Sequence, residues 1–283
     1  MEDFPLLFFK TILLRPYVFI FLASFLLVGR LLLGPRRTLL FLLGSGVTAF
    51  LCEFSSIHTG VPFGFYYYTG LTVGEELYIS NVPIIDFLSF TFLLFNSYCM
   101  ALAFLLPSVA RQNQNRLQLV LDPTVRTSWA MLLLTATFLT LIDVVLDPVS
   151  LRGDRWFLGQ IYGYPDPGVY FGVPLMNFFG WAVVGLISLS VYFAMDRRLP
   201  PLPLAGAGSA MTTYILLGCA LYYGVLIFAL TITFLIGEYL LVLVGVMIYL
   251  PVTILLILRL FNLLPTAIVS VRSTSSRTQS SYS

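Results

Sequence analysis

Asp143 and Asp147 stand four residues apart in Leu141-Ile-Asp143-Val-Val-Leu-Asp147-Pro148, where an apolar run beginning near Ser128 ends. On a helix the two carboxylates share one face, one turn apart. Thr140 continues that face, and Ala136 ends its polarity. Acids inside an apolar helix are strongly disfavoured unless they face a bundle interior or a water-filled pocket. The C-terminal end of a helix carries partial negative charge, and two neighbouring acids release their protons in separate steps. The pair is therefore expected to hold one proton and one charge near neutrality, a division that suits a proton donor and a proton acceptor. The alternative is a purely structural network that pins helices together.

Further candidates surround this pair. Glu53 lies deep in a second apolar run and shares a helical face with Gly46, Ala49 and Ser56. It reads equally as a catalytic acid or a structural partner. His58, the sole histidine, follows Glu53 in a Gly/Pro-rich context, where a hydrogen-bonding loop role competes with a catalytic one. Asp86 follows Pro83 by three residues, a position where a carboxylate also caps a helix. Asn177 opens another apolar run, and Glu238 stands in a short Gly-Glu break where it is expected to be solvated. Aromatic side chains crowd the same regions: the run from Tyr66 to Tyr68, then Trp156, Tyr162, Tyr164, Tyr170 and Trp181. Any one of them fits an interfacial aromatic belt. As a set beside acids, their ring faces also tolerate positive charge. One histidine with scattered acids makes no convincing metal site, so no metal is expected.

These groups sit in a chain that reads as lipid-soluble. Of its 283 residues 59% are hydrophobic and 10% charged, against roughly 25% charged in a soluble domain. The expectation is an all-α, polytopic membrane protein in one helical domain, residues 1–264, followed by a disordered Ser/Thr-rich tail over 265–283. The basic residues are scattered over short loops, which excludes a nucleic-acid surface. Cys52, Cys99 and Cys219 each lie in apolar runs with no metal-site spacing, so small core residues are expected. The apolar run after Lys10 and Arg15 continues through Leu33 without a small-x-small site, which argues against a cleaved signal peptide.

A bilayer core about 30 Å thick needs about 20 apolar residues per helix. Seven stretches qualify, near 17–34, 38–56, 83–106, 128–147, 170–195, 211–236 and 239–262. With the loop after the first helix placed inside, Arg30, Arg36, Arg37, Arg111, Arg116, Arg126, Arg197, Arg198, Arg259, Arg272 and Arg277 are all cytoplasmic. Only Lys10, Arg15, Arg152 and Arg155 fall outside, a clear positive-inside bias. The N-terminus is then expected outside and the C-terminus in the cytoplasm. Set by the basic residues alone, this topology gathers Glu53, Asp86, Asp143, Asp147, Asn177 and Glu238 at the outer level. The two long outer connections, roughly 57–82 and 148–170, are rich in Gly, Pro and Tyr, and such loops fold back as functional caps.

Two blocks resemble a known family: Glu53-Phe-Ser-Ser-Ile-His58-Thr-Gly60-Val-Pro62-Phe-Gly64 with the tyrosine run, and Asp143 to Pro148 followed by Tyr170-Phe-Gly172-Val-Pro174-Leu-Met-Asn177-Phe-Phe-Gly180-Trp181. Together they are similar to the membrane carotenoid-biosynthesis family that includes the carotenoid 1,2-hydratases. The likeness spans about residues 45–195. It implies a carotenoid substrate held within the bilayer, with lycopene-like or γ-carotene-like ends or bisanhydrobacterioruberin, and no redox cofactor. Other carotenoid enzymes are the partners it allows. It also implies acid-catalysed water addition at the terminal 1,2 double bond, giving a tertiary alcohol. Asp143, Asp147, Glu53 and His58 become the catalytic candidates, and Asp86, Tyr66, Tyr68, Tyr170, Asn177 and Trp181 the substrate-binding ones. A linear C40 chain is about as long as the ~30 Å hydrocarbon core is thick, so its end group would lie near an interface. Two rivals remain open: a prenyltransferase holding Mg²⁺ and a diphosphate on the Asp-x3-Asp pair, and a seven-helix transporter using the acids as a proton relay.

Overall fold

The computed structural model describes residues 4–108, 117–200, 202, 209–261 and 263. The expected tail, and Arg111, Arg116, Arg272 and Arg277, lie outside them. Eight α-helices are present among the described residues: α1 (Phe4–Leu14), α2 (Pro16–Leu33), α3 (Pro35–Thr59), α4 (Ile84–Leu105), α5 (Trp129–Ser150), α6 (Leu175–Asp196), α7 (Ser209–Leu235) and α8 (Tyr239–Leu260). From α2 onward, seven are long and apolar enough to cross a membrane, as the hydropathy pattern requires. The protein is a multi-pass membrane protein. Short strands decorate the connections: β1 (Tyr67–Tyr68) pairs with β4 (Tyr162–Gly163), and β2 (Tyr78–Ile79) with β3 (Val82–Pro83).

Local chemistry sets the helix ends. Pro16 and Pro35 begin α2 and α3 at first-turn positions, where the missing N–H has no helical partner to lose. Gly60 closes α3 in the left-handed conformation, its N–H donating to the Ser56 carbonyl at 2.9 Å. Ser128 caps α5 by accepting from the Met131 N–H at 3.2 Å. Helix α4 packs against α2, α3, α5, α7 and α8. Of the seven long helices it is the most buried along its length, and α8 the least. The core therefore centres on α4, where Phe25, Phe41, Phe95 and Tyr98 interlock.

Several boundaries differ from the sequence reading. Helix α5 runs through Pro148 to Ser150. Helix α6 starts at Leu175 rather than near 170, because residues 168–173 fold into a tight bridged turn with Phe171 at φ +50°. Helix α1 was not expected at all. Its 11 residues are too few to span, and it exposes Phe4, Phe9 and Leu13.

The basic residues differ more. Arg37, Arg126 and Arg259, counted from the sequence among the cytoplasmic cations, are buried. Asp196 at the end of α6 pairs with Arg37 and Arg126, both at 2.5 Å. Arg259 donates to the Ala103 and Leu106 carbonyls at 3.0 and 2.5 Å. Arg15 is buried as well, with Glu76 at 3.1 Å and the Leu158 carbonyl at 2.5 Å. Burying a guanidinium is costly unless it is paired; the partners here lie far away in sequence, while Arg126 Nε and Nη1 and Arg259 Nη1 have no hydrogen-bond partner among the described residues. Glu238, expected to be solvated, is half-buried and pairs with Arg152 at 3.1 Å and with Arg155.

Candidate active site

One end of the bundle holds a mostly apolar, partly open cavity of about 200 Å³. It gathers the starts of α2, α4 and α6, the C-terminal ends of α3 and α5, and the C-terminal half of α7. Four carboxyl groups face it: Glu53 from α3, Asp86 from α4, and Asp143 and Asp147 from α5. Among the described residues lining it there is no Lys, Arg or His.

The α5 pair is built as helical spacing predicts. Both side chains are buried, and Asn177 in the first turn of α6 bridges them. Its Nδ2 donates to Asp143 Oδ2 at 2.9 Å and to Asp147 Oδ2 at 3.0 Å. Asp147 receives more. Tyr164 donates to its Oδ2 at 2.9 Å, and Tyr162 donates to its Oδ1. Among the described residues Asp147 thus accepts from three side-chain donors and Asp143 from one.

The tyrosines reach Asp147 because the two long connections fold over the cavity and join. After Gly60 ends α3, the Phe63 N–H donates to Ser56 Oγ at 3.0 Å and turns the chain back. Phe63 then lies directly on Gly180 of α6. A Cβ at 180 would stand 2.7 Å from the Phe63 Cα, so only glycine permits this approach. Strand β1 next pairs antiparallel with β4, Tyr67 opposite Gly163 and Tyr68 opposite Tyr162. Alternation sends Tyr162 and Tyr164 to the same side of their segment. The cross-strand pair also links the two groups of acids: Tyr162 serves Asp147, while the Tyr68 hydroxyl stands 3.4 Å from Glu53 Oε2. Tyr66 packs edge-on against Tyr68, Tyr162 and Tyr164, with centroids 5.4, 6.3 and 6.4 Å away. Burial pushes the hydroxyls of Tyr68, Tyr162 and Tyr164 well above the ordinary phenol range, and nearby carboxylates push the same way. They act as neutral donors.

Of the ten catalytic and substrate-binding candidates from the sequence, the cavity brings together Asp143, Asp147, Glu53, Asp86, Tyr66, Tyr68, Asn177 and Trp181. It leaves two outside. His58 follows Glu53 by five positions, about 140° around the helix at 100° per residue. Its ring is exposed, stacks on Phe54 at 4.3 Å and has Nδ1 2.7 Å from the Phe54 carbonyl. Tyr170 is turned away by the tight bridged turn and packs on Phe171 and Phe178. Tyr162 and Tyr164 are the residues that sequence reasoning undervalued, reading them as interfacial aromatics or as rings tolerant of positive charge and not as hydroxyl donors to Asp147. Their Tyr-x-Tyr spacing in a Gly-rich segment was the available signal for two hydroxyls on one side. Among the described residues, no three His, Cys, Asp or Glu side chains are grouped to hold a metal ion. A cavity with four carboxyl groups and no Lys, Arg or His in its lining is suited to storing and passing protons, since closely spaced like charges are not all carried at once.

The family model described as "Carotenoid biosynthesis protein" matches residues 9–252. A curated relative, bisanhydrobacterioruberin hydratase of Haloarcula japonica, is 28% identical over 173 residues, 61% of this chain and 50% of the relative. The chain thus spans about half the length of the curated relative it matches. No solved structure matches.

Proposed function

This chain belongs to the carotenoid biosynthesis protein family, and from that premise we propose that it adds water to the terminal 1,2 double bond of a linear or monocyclic carotenoid. The observation that carries the proposal is the set of four carboxyl groups in one mostly apolar cavity roofed by tyrosines. Protonation at C-2 leaves a tertiary cation at C-1, and water captures it to give a tertiary alcohol. Such a reaction needs an acid in an apolar pocket, a base beside the water and surfaces that tolerate a cation.

Each need has a candidate. Asp143, with a single hydrogen-bond donor, keeps an oxygen free to carry and deliver the proton. Asp147, held by Tyr162, Tyr164 and Asn177, is presented as the acceptor that takes a proton from the attacking water. Asn177 fixes their mutual geometry. Glu53 and Asp86 supply polar anchors for water on α3 and α4. The rings of Tyr66, Tyr68 and Trp181 face the developing cation, with which aromatic faces interact favourably. The remote carotenoid chain contributes binding only. The same proposal keeps the orientation given by the basic residues, with this cavity on the non-cytoplasmic side.

The diphosphate-dependent rival is disfavoured by the lining, because capture of a diphosphate calls for Lys or Arg beside it, and neither lines the cavity. The test is to express Asp143→Asn and Asp147→Asn in a host making lycopene or γ-carotene, with pigment mass analysis. Folded variants that no longer form the hydrated pigment support the proposal. Full activity in both ends it.

A further inference from the structure

A second cavity, about 260 Å³, lies against the same tyrosine segment. His58, Ile57, Val73 and Tyr67 line it, while Tyr66 and Tyr68 line both cavities. The two spaces therefore share one wall. The outer one is at the protein surface: His58, Tyr67 and Val73 are all exposed. The wall is slight. Strand β1 has two residues, is held by its pairing with β4, and is flanked by Gly64 and Gly70 at φ +87° and +69°. Its hydroxyls lead inward, from Tyr66 to Tyr68 at 3.4 Å and from Tyr68 to Glu53 at 3.4 Å.

We propose that this outer cavity is the water entrance of the site, with Tyr66 and Tyr68 as the partition between entrance and acids. The inference rests on the hydratase reading of the inner cavity. The balance of that reaction shows why an entrance is needed. One C–H and one C–O bond form, the carbon–carbon π bond and one O–H bond of the water break, and one water is consumed. The proton lent by the acid comes back through the base, so no net proton is taken up. Each turnover thus requires one new water and no external proton. The carotenoid comes from the lipid side with no water of its own, and most of the inner lining is apolar. Tyr66 and Tyr68 are the part of that lining that also borders an exposed space, whose lining includes His58 and Asn81. His58 then belongs to the mouth of the entrance and takes no part in the chemistry.

The test uses a reporter independent of activity. In a Cys52→Ser background, Ser89→Cys places a thiol in the inner cavity, while native Cys99 and Cys219 stay buried. In vesicles, a charged thiol reagent that does not cross lipid is added on the side facing the outer cavity. Ile57→Trp with Val73→Trp then fills that cavity from positions at the outer wall. The entrance predicts that the reporter is labelled in the open protein and that the plug slows labelling roughly tenfold or more. Hydration by the plugged protein without the reporter falls in parallel. Labelling that is absent from the open protein, or unchanged by the plug, overturns the entrance. If the open protein labels as expected but hydrates no carotenoid, the reaction assignment fails while the route stands.

Discussion

Asn177→Leu is the sharpest probe of how the acid pair is held. The substitution keeps the side chain's approximate volume in a buried position and removes one amide. That amide supplies two hydrogen bonds, 2.9 Å to Asp143 and 3.0 Å to Asp147. For Asp143 it is the sole side-chain donor seen among the described residues, whereas Asp147 keeps Tyr162 and Tyr164. A hydrogen bond to a charged group contributes about 1.5–3 kcal/mol. If the bond to Asp143 alone is needed in the transition state, the rate falls by roughly 10- to 100-fold at about 1.4 kcal/mol per decade. The assay is initial rate of hydrated-pigment formation by purified protein in lipid nanodiscs at saturating carotenoid. Thermal unfolding is followed in parallel, to separate lost chemistry from lost fold. A folded Asn177→Leu protein that keeps more than about a third of the wild-type rate, a loss below about 0.7 kcal/mol, would refute the idea that this amide sets the geometry of the pair.

Three further outcomes are expected. Arg15→Gln or Glu76→Gln alone leaves a buried charge without its partner and should lower stability by about 3–5 kcal/mol, while Arg15→Met with Glu76→Leu should recover most of it in thermal melts. Tyr162 and Tyr164 ionise above the unfolded phenol value of about 10, so their contribution to stability is fully present below that pH and is lost as pH rises through their higher folded values. Stability should therefore decline above about pH 10, and Tyr162→Phe with Tyr164→Phe should flatten that decline in pH-dependent unfolding. His58→Ala should change the hydration rate less than about threefold, because the ring lies outside the acid cavity and the reaction takes up no net proton; a loss beyond about 100-fold would place His58 in the chemistry after all.

The spans were legible in the sequence because hydropathy is a local property, and each spanning helix is set by its own residues. The i, i+4 placement of Asp143 and Asp147 was legible for the same reason. Helix α1 escaped because 11 residues fall below any spanning length. The roles of Arg15, Arg37, Arg126 and Arg259 were misjudged because a buried cation is defined by its partners, and those partners lie up to 163 positions away, as for Arg37 and the Pro200 carbonyl. Tyr162 and Tyr164 look like belt residues until β4 meets β1 across the roof of the cavity. His58 was grouped with Glu53 by sequence proximity, but a five-residue step on a helix turns it to another face.

The most direct test of the central claim follows the added oxygen. Purified protein in nanodiscs is given a linear carotenoid in H₂¹⁸O under ordinary air, and the product is weighed by mass spectrometry. Water addition at the acid cavity predicts a product heavier by one labelled water, formed by the wild type and missing with Asp143→Asn. A product carrying unlabelled oxygen from the air, or a labelled product that survives loss of both Asp143 and Asp147, would contradict it.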